Sequence, residues 1–230
     1  MFPFFARLFR QRTQFTSLGE QLRFFARESA TQAHHNYPAD DNLRVAKTIS
    51  MLVLAMANDF SSALVSAKSV FGAKLSAASR LATYDVAVWE IAAYGHYWLM
   101  KELALNEVER LCSEEEEEVD NTRYSELTTS TLLTGHFIAD YTQFDKKLFS
   151  NRANSYCRSS DTKIDIAELS GRLEHKLYCS IQAGKPVQAK VRESEDPNLE
   201  STLKLSIELL HLSFLPALFH LVDQVFQDVN

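Results

Sequence analysis

One stretch of the chain, residues 81–150, restricts the fold more than any other feature. Its first part, from Tyr84 to Met100, contains no proline and is apolar on nearly every side of a helix. That pattern is typical of a helix buried in the middle of a bundle. A second helical run lies between Leu132 and Phe144, and five consecutive glutamates, Glu114–Glu118, separate the two. The stretch therefore predicts two long helices folded back on each other as an antiparallel hairpin.

Turn-forming residues are scarce, which extends the helical prediction to the whole chain. Only 6 glycines and 5 prolines occur in 230 residues, and 46% of the residues are hydrophobic. Sandwiches and doubly wound folds need many turns, so this composition favours long helices with few connections. We predict an all-α fold, an irregular bundle of about six or seven helices organised around the long antiparallel hairpin. A Phe/Arg-rich arm over residues 1–14 precedes a single domain over 15–230, with a polar loop at about 184–198.

Local signals place several helix boundaries. Helical spacing and a capping pattern predict a helix over Phe15–Ala33, and Asp40 or Asp41 is expected to cap the next one. A further helix is predicted over Asp165–Ile181, ended by Gly184. Each of these boundaries is independent of the predicted hairpin.

The last predicted helix, from about Leu199 to Val229, contains both a breaker and a long apolar run. Pro216 should kink or break it near Phe214, because proline cannot donate the backbone hydrogen bond of a helix interior. The run is apolar enough to suggest a membrane span, but Glu208 and His211 within it argue against one. A buried terminal helix is the preferred interpretation.

The net charge of −6 conceals an uneven distribution. Residues 1–80 carry 10 basic and 5 acidic side chains, residues 81–150 carry 5 and 14, and residues 151–230 carry 9 and 11. The total excludes a typical nucleic-acid binder, which would present a strongly basic domain. The asymmetry would let the basic front pack on the acidic middle, within one chain or between two.

The cysteines fit a protein of a reducing compartment, and the glutamate run fits a solvated surface. Cys112, Cys157 and Cys179 are odd in number, widely spaced and without zinc-ligand spacing, so a cytoplasmic location is expected. The Glu114–Glu118 run is expected to be solvated, either as a loop tip or as the first turn of a helix that Ser113 caps.

The N-terminal segment Met1–Arg12 is rich in phenylalanine and arginine. It is too often interrupted by charge to be a secretory signal. A helix here would gather its phenylalanines near one face, which suits attachment to a membrane surface or docking on a protein. The alternative is a helix that packs on its own domain or on a second subunit.

Two Gly-His pairs, Gly95-His96 and Gly135-His136, suggest a site. Each glycine lies 20 residues from Glu115, so a hairpin that turns at the glutamates would bring both glycines to the same height. The two histidines would then emerge on the same side, with Asp140 one turn beyond His136. Against this, Gly135 lies opposite the apolar face of its own helix.

A metal hypothesis combines these residues with the last helix. Glu208 and His211 share a helix face at the i, i+3 spacing that di-iron bundles use, although only one such pair occurs here. Imidazole and carboxylate ligands would suit a divalent metal such as zinc, iron or manganese. The same residues could instead form a buried polar network that fixes helix register. The predicted metal ligands are His96, His136, Asp140, Glu208 and His211.

An aromatic cluster could line an apolar ligand pocket or belong to the core. Its members are Trp89, Tyr94, Tyr97, Trp98 and Tyr141. The chain contains no nucleophile elbow, phosphate loop, zinc-protease signature or dinucleotide fingerprint, so no catalytic residues are assigned.

The leading functional hypothesis is a cytoplasmic, non-enzymatic interaction or regulatory protein that self-associates through apolar helix faces. The alternative is a helical protein, possibly an enzyme, that binds a metal or small ligand through the histidines and carboxylates above. A third hypothesis is peripheral membrane association through Met1–Arg12. Homo-oligomer formation or a protein partner is expected, and nucleic acid is not.

Overall fold

A computed structural model describes residues 31, 33–36, 41–113, 129, 133–140, 145–156, 166–187 and 196–227. Nearly all of this described part is helical and it contains no strand, so the predicted all-α class and helical bundle are confirmed. The predicted arm at 1–14, most of the predicted helix Phe15–Ala33 and the Glu114–Glu118 run lie outside the described residues.

Six α-helices have defined bounds, and two short helical segments of other types connect them. The α-helices are α1 (Asp41–Leu64), α2 (Ala77–Ser113), α3 (Lys146–Asn154), α4 (Ile166–Ala183), α5 (Pro197–Leu209) and α6 (Leu215–Gln227). A 3₁₀ turn, Gly72–Lys74, precedes α2, and a π-helical segment, Leu210–Phe214, joins α5 to α6. Residues 133–140 are also helical.

Helices α1 and α2 form the interior of the bundle. They pack against each other, and α2 also contacts α3, α4 and α6. From Val86 to Leu99 almost every side chain of α2 is buried, as predicted from its lack of a polar face. A side chain on Gly95 would collide with Met56 of α1. The glycine therefore makes room for the end of the Met56 side chain.

Helix α3 starts anew at Asp145 rather than continuing the predicted second hairpin helix. Asp145 has extended backbone angles, and its carboxylate accepts a 2.7 Å hydrogen bond from the Leu148 amide. This cap satisfies an amide that would otherwise lack a partner at a helix start. The expectation of one helix running through residue 150 was therefore too long.

Helix α4 ends at the predicted glycine. Gly184 adopts a φ of +64°, its amide donates to the Ile181 carbonyl, and the Lys185 amide donates to the Ser180 carbonyl. These are the two hydrogen bonds of the glycine-terminated helix end, where the left-handed conformation costs a glycine little. The chain is thereby turned back along α3.

Pro216 widens the last helix without ending it. Residues Leu210–Phe214 form a π-helical segment, and α6 resumes at Leu215. Proline removes one backbone donor and its ring crowds the carbonyl four residues earlier. The wider π-helical turn moves that carbonyl away from the proline ring. The irregularity was predicted near Phe214, and the helical path continues through it.

The segment Pro197–His220 meets the length and composition of a membrane span, with mean hydropathy 1.3, and 28% of its most apolar window is buried within the bundle. Its inner leucines, among them Leu203, Leu210 and Leu218, are fully buried. Other leucines of the segment, Leu205, Leu209 and Leu212, are exposed. The segment therefore has one face packed in the bundle and one face exposed.

Candidate functional site

A buried ion pair joins α2 to α3 in the middle of the bundle. The Glu90 side chain is fully buried and that of Arg152 is 6% exposed. Arg152 Nε donates to Glu90 Oε2 at 2.7 Å, and its Nη2 donates to Oε1. This two-point contact has the planar geometry in which a guanidinium binds a carboxylate most strongly.

Further hydrogen bonds tie this pair to α4 and to the turn after it. Ser180 Oγ donates to Glu90 Oε1 at 2.6 Å and accepts from the Val187 amide at 3.2 Å. Arg152 Nη2 also donates to the Val187 carbonyl at 2.6 Å. The Tyr156 hydroxyl donates to Glu90 Oε2 at 3.4 Å. The network therefore fastens three helices and residues 184–187 to one carboxylate.

The electrostatics of the network keep its members in one protonation state. Burial alone would lower the pKa of Arg152, but the hydrogen bonds and charge of Glu90 outweigh it and raise that pKa. Burial, together with the Glu90 charge, raises the pKa of Tyr156 well above its usual value. Arg152 is thus charged and Tyr156 is neutral at pH 7.

Arg152 also forms part of the floor of an open groove of about 680 Å³. Helix α2 forms one wall, α3 the second, and the turn after α4 the third. Its lining includes Asp85, Val86, Trp89, Asp145, Leu148 and Lys185. A volume of this size is in the range of small-ligand sites, roughly 300–1,000 Å³.

Lys176 reaches the end of α3 from α4. Its ammonium donates to the Ser155 carbonyl at 2.9 Å and to the Ser155 hydroxyl, and it lies 3.9 Å from the centre of the Tyr156 ring. Burial, and then the nearby charge of Arg152, lower the pKa of Lys176 to about 8. The contact places a cation at the negative end of a helix, which stabilises α3.

Of the predicted metal ligands, His96 is packed among apolar neighbours. Its ring stacks on Phe149 with a 6.1 Å centroid separation, and it lies against Gly135. Its Nδ1 is buried and has no hydrogen-bond partner among the described residues. Burial lowers the pKa of His96 to about 4, so the ring is neutral at pH 7.

The other four predicted ligands have separate surroundings. His211 is buried in the π turn and shares a 2.8 Å hydrogen bond with the Tyr94 hydroxyl. Asp140 forms an exposed 2.8 Å ion pair with Lys146, and His136 and Glu208 are exposed. The described residues contain no group of three or more metal-ligating side chains. The five-residue metal site stays a prediction that elemental analysis of the protein tests.

The predicted aromatic cluster is spread over several contacts. Tyr97 stacks near Tyr156 and Trp98 packs edge-on against Phe219. Tyr94 lies edge-on to Tyr156 at 5.0 Å, and Tyr141 lies outside the described residues. Trp89 is the member that lines the groove. A common pocket formed by all five stays a prediction.

The sequence prediction missed the residues that the fold brings together most tightly. Glu90 is the one acid between Val86 and Met100 in a run that is otherwise apolar. A lone charge in a buried helix requires a partner, and this signal could have identified Glu90. Nothing in the local sequence identifies Arg152, 62 residues later, or Ser180, 90 residues later, as its partners.

Comparisons of the chain with protein-family models, with curated proteins and with solved structures found no match. The fold and contacts therefore define the class by themselves. It is an all-α bundle with a satisfied ion pair at its centre and a groove beside that pair.

Proposed function

We propose that this chain is a non-enzymatic interaction protein that self-associates through a leucine stripe on its last helical segment. The stripe consists of Leu205, Leu209 and Leu212. The main support for this proposal is the exposure of these side chains, which is 61%, 50% and 78% in that order. Exposed apolar patches on a folded surface commonly mark interaction sites.

The spacing of the stripe supports a continuous contact surface. Leu205 and Leu209 are four residues apart, Leu212 is three further, and exposed Pro216 extends the line by another turn. Residues four apart share one face of an α-helix, so Leu205 and Leu209 do, and Leu212 follows them in the π-helical segment. The opposite face, with Leu203, Ile207 and Leu210, is buried in the bundle. The stripe is therefore held on a rigid element that faces away from its own core.

A second copy of the chain is the partner that we propose. A two-fold contact brings the same stripe of both copies together, so six leucines become buried. The charged residues beside the stripe, Lys204 and Glu208, are exposed and of opposite sign. In an antiparallel crossing they would border the apolar contact with attractive rather than repulsive pairs. A cytoplasmic location belongs to this proposal and is supported by the odd number and wide spacing of the three cysteines in the sequence.

Sedimentation equilibrium over a range of protein concentrations tests the proposal. We expect a monomer–dimer equilibrium, which Leu209→Glu or Leu212→Glu should weaken at least about tenfold, because each substitution occurs twice in a symmetric interface and about 1.4 kcal/mol corresponds to a factor of ten. Leu81→Glu is the matched control, since Leu81 is 63% exposed and lies at the start of α2. The control should associate like the unaltered chain.

Two results would contradict self-association through this stripe. One is an unaltered chain that stays monomeric at every concentration, and the other is equal association of the stripe variants and the control. If the monomer instead sediments with liposomes, the membrane-surface hypothesis is favoured. Deletion of residues 1–12 then shows whether Met1–Arg12 or the stripe is responsible.

We also propose that α2 and the helical residues 133–140 are the arms of an antiparallel hairpin. The contact of His96 with Gly135 supports this arrangement. In this arrangement the two Gly-His pairs would lie at the same height, as the equal spacing from Glu115 predicts. A disulfide introduced between facing positions of the two segments would test the direction and register of the pairing.

A further inference from the structure

A groove beside the buried ion pair is left unused by the proposed self-association. Its walls are α2, α3 and residues 184–187, whereas the leucine stripe lies on α5 and the π-helical segment. Its volume of about 680 Å³ is in the range of small-ligand sites. An inference about the groove is therefore independent of the proposed dimer.

One nitrogen of the Arg152 guanidinium has no acceptor within the described part of the chain. The hydrogen bonds of this side chain come from Nε and Nη2, and their acceptors are Glu90, Ser180 and the Val187 carbonyl. Nη1 makes no hydrogen bond to any described residue. Because a guanidinium stays protonated in proteins, Nη1 is a charged donor whose N–H groups are unused.

This nitrogen belongs to a side chain that is almost fully buried and that lines the groove. Arg152 is 6% exposed, and its two-point contact with Glu90 fixes the plane of the guanidinium. Since Nη1 is neither hydrogen-bonded nor sealed from solvent, its N–H groups are open to the groove. A ligand that fills the groove must offer them an acceptor, because a charged donor without one is costly away from water.

Most of the other lining side chains are apolar. Val86 and Trp89 contribute from α2, Leu148 from α3 and Pro186 from the turn after α4. An apolar lining with a few fixed polar groups is the usual composition of small-molecule sites. The groove therefore suits a ligand with an apolar body and a hydrogen-bond acceptor.

The charges of the groove favour an uncharged acceptor over an anion. The charge of Arg152 is already offset by Glu90, which binds it at two points. Asp85 and Asp145 in the lining are negative, and the positive Lys185 is exposed. A ligand carboxylate would therefore meet more negative than unmatched positive charge, whereas an uncharged carbonyl would not be repelled.

We propose that the groove binds a small uncharged carbonyl compound with an apolar body. Its carbonyl oxygen accepts a hydrogen bond from Arg152 Nη1, and its apolar part packs against Trp89 and Leu148. Carboxamides, esters and ketones that carry an aromatic or branched alkyl group belong to this ligand class.

Titration of the full chain with three ligands of similar shape tests the proposal. Benzamide carries the uncharged carbonyl, benzoate replaces it by a carboxylate, and toluene has no acceptor. Ligand-observed NMR measures the affinity of each. We expect benzamide to bind at least about threefold more tightly than either control, because a hydrogen bond from a charged donor contributes at least that factor.

A substitution in the lining locates the site. Ala82 is an exposed lining residue, so Ala82→Phe should occupy part of the groove and weaken benzamide binding at least about threefold. The matched control is Ala63→Phe, at an exposed position of α1 that does not line the groove. The control should bind benzamide like the unaltered chain, and melting curves show whether both variants are folded.

Arg152→Lys tests the hydrogen bond itself. Lysine keeps a positive charge beside Glu90 but has no guanidinium fork, so benzamide should lose its advantage over toluene while the affinity for toluene stays the same. If this variant does not fold, the unaltered chain with isotope-labelled arginine provides the test. Benzamide should then shift an Nη–H resonance of Arg152, and toluene should leave that resonance in place.

Any of four results would overturn the proposal. Two concern the ligands: no saturable binding of benzamide, or binding of toluene or benzoate that is as tight as that of benzamide. Two concern the site: benzamide affinity unaffected by Ala82→Phe, or a preference for benzamide that persists in Arg152→Lys or leaves the Arg152 resonances unshifted. Because these variants leave the leucine stripe intact, failure here leaves the self-association test unaffected.

Discussion

Two polar residues of α2, Glu90 and His96, lie six residues apart. They differ in how their polar atoms are accommodated away from water. Glu90 is charged and receives hydrogen bonds from Arg152, Ser180 and Tyr156. His96 packs against Phe149 and Gly135, and its buried Nδ1 has no partner among the described residues. Glu90 is fully buried with hydrogen-bonded partners, whereas His96 is half-buried and its ring is neutral.

The difference shows how the cost of burial depends on what surrounds a group. A buried charge without partners costs several kcal/mol, so Glu90 can be buried only with its whole network present. A neutral imidazole costs less, roughly 1–3 kcal/mol for an unpaired polar atom. Helix α2 is therefore held by specific hydrogen bonds at Glu90 and by packing at His96.

Removing one member of the ion pair should have the largest effect on the free energy of unfolding. Arg152→Met would leave the Glu90 carboxylate buried beside Ser180 without its cation, and Glu90→Gln would leave Arg152 unmatched. We expect each single substitution to lower the free energy of unfolding by about 3–5 kcal/mol. Urea denaturation followed by circular dichroism measures this directly.

The double variant Glu90→Gln, Arg152→Met separates charge from packing. Since neither charge is then left unmatched, we expect it to be more stable than either single variant, as replaced ion pairs in other cores have shown. Single-variant losses below about 1 kcal/mol would instead mean that the pair behaves as a surface contact, and the contrast with His96 would fail.

The next largest effect is a dependence of stability on pH that His96 produces. Its folded pKa, about 4, lies below its ordinary value of 6.5. As the pH falls below 6.5 the unfolded chain takes up a proton that the folded chain refuses, so folding stability falls until about pH 4. The loss is at most about 3.4 kcal/mol, since the pKa difference is about 2.5 units and each unit corresponds to about 1.36 kcal/mol.

Urea denaturation at intervals between pH 7 and pH 4 measures this dependence. His96→Phe should flatten it, while His35→Gln, at an exposed position, should leave it unchanged. His211 also has a pKa lowered by burial, so part of the dependence should persist in the His96 variant. An identical pH dependence in the His96 variant and the unaltered chain would show that the ring is hydrated in the folded state.

Periodicity and composition identified the all-α class, the buried middle of α2, the glycine end of α4 and the irregularity before Pro216. Each of these depends on residues close together in the sequence. The Glu90 network and the groove depend on contacts across 62 to 90 residues, which local spacing cannot show. The start of α3 was missed because the cap at Asp145 lies inside a run that has continuous helical spacing.

The smallest effect concerns the shape that holds His96. A Cβ on Gly135 would lie 3.1 Å from His96 Nε2, whereas one on Gly171 in α4 would meet no atom within 4 Å. Replacing a helical glycine by alanine stabilises a helix by about 1 kcal/mol when space allows. We therefore expect Gly171→Ala to raise the free energy of unfolding by about that amount and Gly135→Ala to raise it less or lower it, because the imidazole must shift.

Thermal and urea denaturation of the two variants compare them directly. Equal stabilisation by both substitutions would show that the His96 ring has room to move. Packing around His96 would then not fix α2 in the way that the ion pair fixes it at Glu90.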